Sequence, residues 1–146
     1  MAEPKLKTPL EQLLRAEPGK AEIVKGQVIR MAPTGVSHGI VVGNIFVALR
    51  LYQAASGAGV TFGDNVGFLV DLPHRQSFSP DAAYYTGPLG ESGAFLPAAP
   101  VFAVEVRSPS DYGPAAEREM RAKRADYFSA GTLVVWDVDV LREQTI

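Results

Sequence analysis

Hydrophobic side chains recur along the chain with two different periods, which predicts a mixture of helices and strands. In residues 37–56, Val41, Ile45 and Leu49 recur at helical spacing, which is typical of a helix that buries one face. Shorter apolar runs rich in β-branched and aromatic residues favour strands. These runs lie at residues 81–85, 101–106 and 133–138.

Turn and cap residues predict the remaining elements. A threonine cap at Thr8, followed by Pro9, indicates a short first helix, and Lys25-Gly26 is the expected turn of a hairpin over residues 22–31. Ser37 is the expected cap of the long helix, and glycines from Gly57 end it. The other predictions are strands at 60–62 and 66–70, loops at 72–79 and 87–100, and a helix at 114–130.

The order of these elements predicts an α/β fold in which helices flank a central mixed β-sheet. The 146 residues fit one domain, 1–146, with its core at about residues 21–138. Residues 141–146 resemble the start of a further strand. We therefore expect a domain that is shortened at this end, with a sheet edge that dimerisation could cover.

Composition excludes several kinds of chemistry. The chain has no cysteine, so disulfides, thiolate zinc sites and cysteine nucleophiles are ruled out, and two histidines are too few for a histidine-rich metal site. The net charge of −2 differs from the overall positive charge expected of a strong nucleic-acid binder. It still allows a local basic groove. No signal core or membrane-spanning stretch is evident, which favours a cytoplasmic protein without a membrane partner.

Two acids interrupt apolar strands. Glu105 lies within Ala103-Val104-Glu105-Val106, and Asp81 opens the strand that follows Pro80. A buried carboxylate is unfavourable unless a cation, a metal or hydrogen bonds compensate its charge. Acids at the ends of neighbouring strands can converge on one divalent cation, whereas turn capping by Asp81 or an internal pair with Arg107 would be the simpler roles.

Lys123 shares a helix face with Met120 and Tyr127, at the boundary of the face expected to be buried. Its ammonium group could reach the end of the Glu105 strand, or could form a solvated pair with Glu119. Periodicity alone favours the surface pair. The basic residues of this helix are first interpreted as a face exposed to solvent. The alternative is that they form a strip that contacts phosphates. These residues are Arg118, Arg121, Lys123 and Arg124.

An ordered series of motifs resembles the bacterial Uma-type family of putative restriction endonucleases, within the PD-(D/E)XK nuclease superfamily. The series comprises the hairpin from Glu22, Met31-Ala32-Pro33-Thr34-Gly35 before His38, Gly63 to Phe68, Ser79-Pro80-Asp81, Ala103 to Val106 with Ser108-Pro109-Ser110, and Lys123 to Tyr127 before Ala130-Gly131.

The resemblance implies a restriction-endonuclease-like fold in which Asp81 and Glu105 are metal ligands. Arg107 occupies the strand position where the superfamily usually has lysine, and Lys123 matches the lysine on the following helix. Arginine is too basic to transfer a proton, so Arg107 is at most a charge clamp. Glu22 and His38 match further family positions and are possible additional site residues.

The activity implied by the resemblance is hydrolysis of DNA phosphodiester bonds with Mg²⁺ or Mn²⁺, carried out by Asp81, Glu105 and Lys123. Cutting both strands of a duplex usually requires two active sites, so a homodimer is expected. The main alternative is an inactive domain of the same fold that binds nucleic acid or a protein partner. A weaker alternative is a hydrolase that uses carboxylates on another substrate. The sequence shows no Ser-His-Asp pattern that would indicate a serine hydrolase.

Overall fold

The computed structural model describes residues 9–16 and 19–140. The helices and strands in these ranges are α1 (Pro9–Arg15), β1 (Ala21–Val24), β2 (Gln27–Arg30), α2 (Val36–Ser56), β3 (Val60–Phe62), β4 (Phe68–Leu72), β5 (Arg75–Phe78), β6 (Ala82–Tyr85), β7 (Phe102–Val106), α3 (Pro114–Ser129) and β8 (Val134–Val138).

The strands form two four-stranded sheets, with orders β2-β1-β5-β4 and β3-β6-β7-β8. The first sheet is antiparallel throughout. The second is mixed, because β3, β6 and β7 pair antiparallel whereas β7 and β8, joined through α3, pair parallel. The α/β class and the mixed sheet are therefore confirmed, with a second sheet beside the one that was expected.

Alternation along β7 places two helices on opposite faces of the mixed sheet. Val104 and Val106 belong to a cluster that packs against α2, whereas Ala103 belongs to the cluster that contains Tyr127 of α3. Successive side chains of a strand point to opposite faces, so Glu105 shares the α3 face with Ala103. This alternation brings a carboxylate beneath α3.

Two predicted features are wrong. Residues 72–79 are not a loop: Leu72 pairs with Arg75 across a tight turn, and β5 then pairs with both β1 and β4. The polar side chains of β5 suggested a loop, but in the structure they are buried and have specific partners. The hydroxyl of Ser77, for example, accepts a hydrogen bond from the Ile23 amide. The cap of α2 is Gly35, not Ser37, which lies within the first turn.

The predicted hairpin, the long helix, its end at Gly57 and the helix from Pro114 are all confirmed. The predicted cap at Thr8 and the predicted strand at 141–146 lie outside the described residues.

By length and composition, α2 is the one helix among the described residues that could cross a membrane, contrary to the sequence expectation. One such helix is weak evidence for a membrane span. One face of α2 packs against the mixed sheet through Val41, Val42, Ile45 and Leu49. The exposed residues of α2 include Val36, Ile40, Val47, Leu51 and Tyr52.

Phe68 is central to the core and should be sensitive to truncation. Its ring is fully buried and lies 6.0 Å from that of Phe62 and 5.9 Å from that of Tyr85. We expect Phe68→Ala to lower the free energy of unfolding in urea by about 3–5 kcal/mol, because it removes buried apolar area and leaves a cavity.

Phe128→Ala is the matched control, since Phe128 is 53% exposed. Its loss should stay below about 1 kcal/mol. Equal losses for the two variants would contradict this assignment of the core.

Candidate active site

Three buried carboxylates, those of Glu22, Asp81 and Glu105, form the centre of the candidate site. Each is less than 10% exposed. They come from β1, from the residue before β6, and from β7, so both sheets contribute. Isolated buried carboxylates would be strongly destabilising, which makes the groups around them informative.

Glu105 and Glu22 share one lysine. Lys123 Nζ lies 2.8 Å from Glu105 Oε1 and 2.7 Å from Glu22 Oε1. Tyr127, one helical turn along α3, donates a hydrogen bond of 2.6 Å to the same oxygen of Glu105. Lys123 is therefore a buried bridge between two acids, and the surface pair with Glu119 that periodicity favoured is not formed.

Glu22 is also held from the side of the first sheet. The Ser79 amide donates a 2.9 Å hydrogen bond to Glu22 Oε2, and Arg75 Nη1 lies 3.5 Å from the same oxygen. Arg75 in turn donates from Nε to Asp126 Oδ2 at 3.0 Å and stacks over the ring of Phe78. Arg75 therefore connects β5, α3 and the carboxylate of β1.

Asp81 is fixed through both of its oxygens. Oδ1 lies 2.8 Å from Lys20 Nζ, and Oδ2 accepts a 2.6 Å hydrogen bond from the Val106 amide. His38, in the first turn of α2, lies with Nε2 3.3 Å from Oδ2. Val106 directly follows Glu105, so the Asp81 carboxylate and Glu105 lie at the same end of adjacent strands.

The protonation of Glu105 is governed by burial and by neighbouring charges. Burial raises the pKa of Glu105 above its usual range, and the negative charges of Glu22 and Asp81 raise it further, whereas Lys123 and Lys20 act in the opposite direction. Glu105 is therefore the carboxylate of the cluster that resists ionisation.

Glu22 behaves in the opposite way. Burial opposes its ionisation, but the charges of Lys123 and Arg75, together with the Ser79 hydrogen bond, lower its pKa below the usual value. For Lys123, burial disfavours the charged form, yet Glu105 and Glu22 outweigh it and raise the pKa. In this arrangement the two carboxylates therefore favour the charged form of Lys123.

The donor set suits a hard divalent cation. No group of three or more His, Asp or Glu residues with metal-binding geometry occurs in the described residues. Mg²⁺ does not need such a group, since it usually binds one or two carboxylates and keeps several waters. Asp81 and Glu105 are the two carboxylates that could hold it, because the residue before β6 lies beside the end of β7 and the Asp81 carboxylate reaches the amide next to Glu105.

Arg107 lies apart from these contacts, although it directly follows β7 and is only two residues beyond Glu105. Its guanidinium group forms an ion pair with Asp137 at 2.7 Å and another with Glu117. These charge-assisted hydrogen bonds raise the pKa of Arg107 further. Arg107 clamps β7 to β8 and α3 and does not contact the acidic cluster.

The basic residues of α3 do not form one surface. Lys123 points into the site and Arg124 pairs with Asp137, whereas Arg118 and Arg121 are exposed. The expected solvated face is therefore reduced to Arg118 and Arg121.

The sequence analysis does not predict two of the residues at the site, Lys20 and Arg75. Arg75 lies in the segment that was predicted to be a loop, and Lys20 precedes the hairpin without a motif of its own. Recognising the Leu72-Pro73-His74-Arg75 turn as a hairpin would have placed Arg75 on a strand beside β1.

Comparison with known proteins agrees with this architecture. A family model described as Uma2, putative restriction endonuclease, matches residues 9–146. No curated protein matches significantly. A crystal structure of a putative nuclease belonging to DUF820, from Anabaena variabilis ATCC 29413, superimposes with a TM-score of 0.69 at 17% identity, covering 89% of this chain and 73% of that one. The chain therefore shares its fold with this putative nuclease, and it belongs to the Uma2 family of putative restriction endonucleases.

Proposed function

We propose that this chain is a Mg²⁺- or Mn²⁺-dependent endonuclease that hydrolyses phosphodiester bonds in DNA. One observation carries the proposal: the Asp81 carboxylate is hydrogen-bonded to the amide next to Glu105. Two acids from adjacent strands are thereby delivered to one place, beside a buried lysine. Family membership supports DNA as the substrate class.

In this proposal Asp81 and Glu105 would hold the cation. When bound, Mg²⁺ would polarise the phosphate and lower the pKa of a bound water. The protein residues supply orientation: the Val106 amide fixes Asp81, and the Tyr127 hydroxyl fixes Glu105. Such fixed orientation is valuable because hydrolysis requires reacting groups to be held in place.

Lys123 is assigned to charge stabilisation. Its contacts with Glu105 and Glu22 raise the pKa of its ammonium group and so favour the charged form. It can stabilise the negative charge that develops on the phosphate oxygens in the transition state. Glu22 would hold this ammonium in position through its 2.7 Å contact.

The alternative is a non-catalytic domain that binds nucleic acid or a protein partner. The observation that favours it is the engagement of Arg107, because the strand position that usually carries lysine is devoted to ion pairs within the fold. Binding of DNA without cleavage in the presence of Mg²⁺ or Mn²⁺ would support this alternative.

We expect supercoiled plasmid to be nicked in Mg²⁺ or Mn²⁺, and the activity to disappear in EDTA. Asp81→Asn and Glu105→Gln should each lower the rate by at least ~100-fold, because each removes a charged ligand while keeping the side-chain shape. Asp71→Asn and Glu119→Gln are the matched controls, since both residues are exposed. Full activity in both site variants would overturn the assignment of the cation ligands.

Lys123→Met should lower the cleavage rate by roughly 100- to 1000-fold, the usual effect of removing one group that stabilises transition-state charge. Lys123→Arg should retain more activity, and Arg121→Met on the exposed side of α3 should retain all of it. Since Lys123→Met leaves two buried acids without this cation, circular dichroism must first show that the variant is folded. A folded Lys123→Met variant with unchanged activity would contradict the role of Lys123.

A homodimer belongs to the same proposal, because two sites are needed to cut both strands of a duplex in one encounter. Light scattering coupled to gel filtration would give the mass in solution. A monomer that makes double-strand breaks at low concentration would contradict the pairing.

A further inference from the structure

Lys20 connects the interior of the site to its rim. It directly precedes β1, and its carbonyl accepts a 3.0 Å hydrogen bond from the Met31 amide, which anchors its backbone to the end of the hairpin. Its ammonium group lies 2.8 Å from Asp81 Oδ1 and 2.6 Å from Asp64 Oδ1. The Asp81 side chain is 6% exposed and that of Asp64 is 48% exposed, so Lys20 spans from a buried acid to a solvated one.

Each buried acid of the cluster already has a cationic partner. Glu22 contacts Lys123 and Arg75, Glu105 contacts Lys123, and Asp81 contacts Lys20. A divalent cation that binds Asp81 and Glu105 would therefore meet positive charges already paired with those oxygens. Since like charges repel strongly in a partly desolvated site, these lysines oppose cation binding unless further negative charge arrives.

Lys20 can move away from a bound cation more easily than Lys123 can. Lys123 is shared between two buried acids, so it is held inside the site whichever one it leaves. Lys20 has one buried and one exposed partner, and its flexible stem can leave Asp81 while it remains beside Asp64. A phosphate at the site supplies the negative charge that would compensate both the cation and the displaced ammonium group.

We propose that Lys20 is a positioning residue that competes with the divalent cation for Asp81 and thereby makes cation binding and phosphate binding mutually dependent. The inference rests on the proposed function, since it takes Asp81 to be a cation ligand. It assigns to Lys20 a role that depends on its position and charge, and not on general stabilisation of the fold.

The test is calorimetric titration of Ca²⁺ into the full chain, alone and with a short DNA duplex whose integrity is checked on a gel. In the wild type the duplex should tighten cation binding by about five- to tenfold, the size of an ordinary coupling between sites. Lys20→Met should bind the cation about five- to tenfold more tightly without duplex, and the further tightening by duplex should fall below twofold.

Lys20→Arg should restore the coupling, because it keeps the charge. Lys25→Met, in the exposed turn of the same hairpin, is the matched control and should behave as wild type. A merely structural role would lower the unfolding temperature without tightening cation binding, so the unfolding temperature of every variant is measured in parallel.

Unchanged or weakened cation binding in a folded Lys20→Met variant would overturn the inference, as would a wild type that binds no cation. This outcome is separable from failure of the proposed function. If the coupling depends on Lys20 but the protein has no nuclease activity, the inference holds and the endonuclease proposal fails. If the protein is an active nuclease but Lys20→Met titrates as wild type does, the endonuclease proposal holds and the inference fails.

Discussion

The burial of three carboxylates at one point is the constraint on which the rest of the structure depends. Glu22 belongs to the antiparallel sheet and Glu105 to the mixed sheet, and Lys123 lies between them and contacts both. Removing one partner of a buried ion pair is strongly destabilising, so this lysine fastens α3 and both sheets together while it shapes the site. Packing alone would not require such groups, since apolar residues could fill the same volume.

The sequence reveals those parts of this arrangement that follow from local pattern. An acid inside an apolar strand is conspicuous, and for this reason Glu105 can be singled out without a structure. The face of α3 follows from helical spacing, which places Lys123 and Tyr127 together. Whether Lys123 turns inward does not follow from spacing, because a lysine at the edge of a buried face is equally compatible with solvent.

The residues that sequence reasoning misses depend on contacts between distant segments. Arg75 lies 53 positions from Glu22 along the chain, and Lys20 lies 61 positions from Asp81. Nothing in the local pattern encodes these separations, because they arise from how β5 docks beside β1 and how the hairpin approaches β6. A short polar strand such as β5 also lacks the apolar alternation by which strands are recognised.

The positions of the cations explain how Arg107 can lie directly after β7, close to Glu105, without taking part in the site. Lys123 reaches the site from α3, and its ammonium group contacts both Glu22 and Glu105. A positive charge at position 107 is therefore not needed for these contacts. With the charge supplied from the helix, Arg107 can instead pair with Asp137 of β8 and Glu117 of α3. Its planar guanidinium group suits this bridging role, since it presents several donors in a fixed geometry. The clamp in turn holds α3 against the parallel strands, and α3 is the element that carries Lys123 and Tyr127 to the acids.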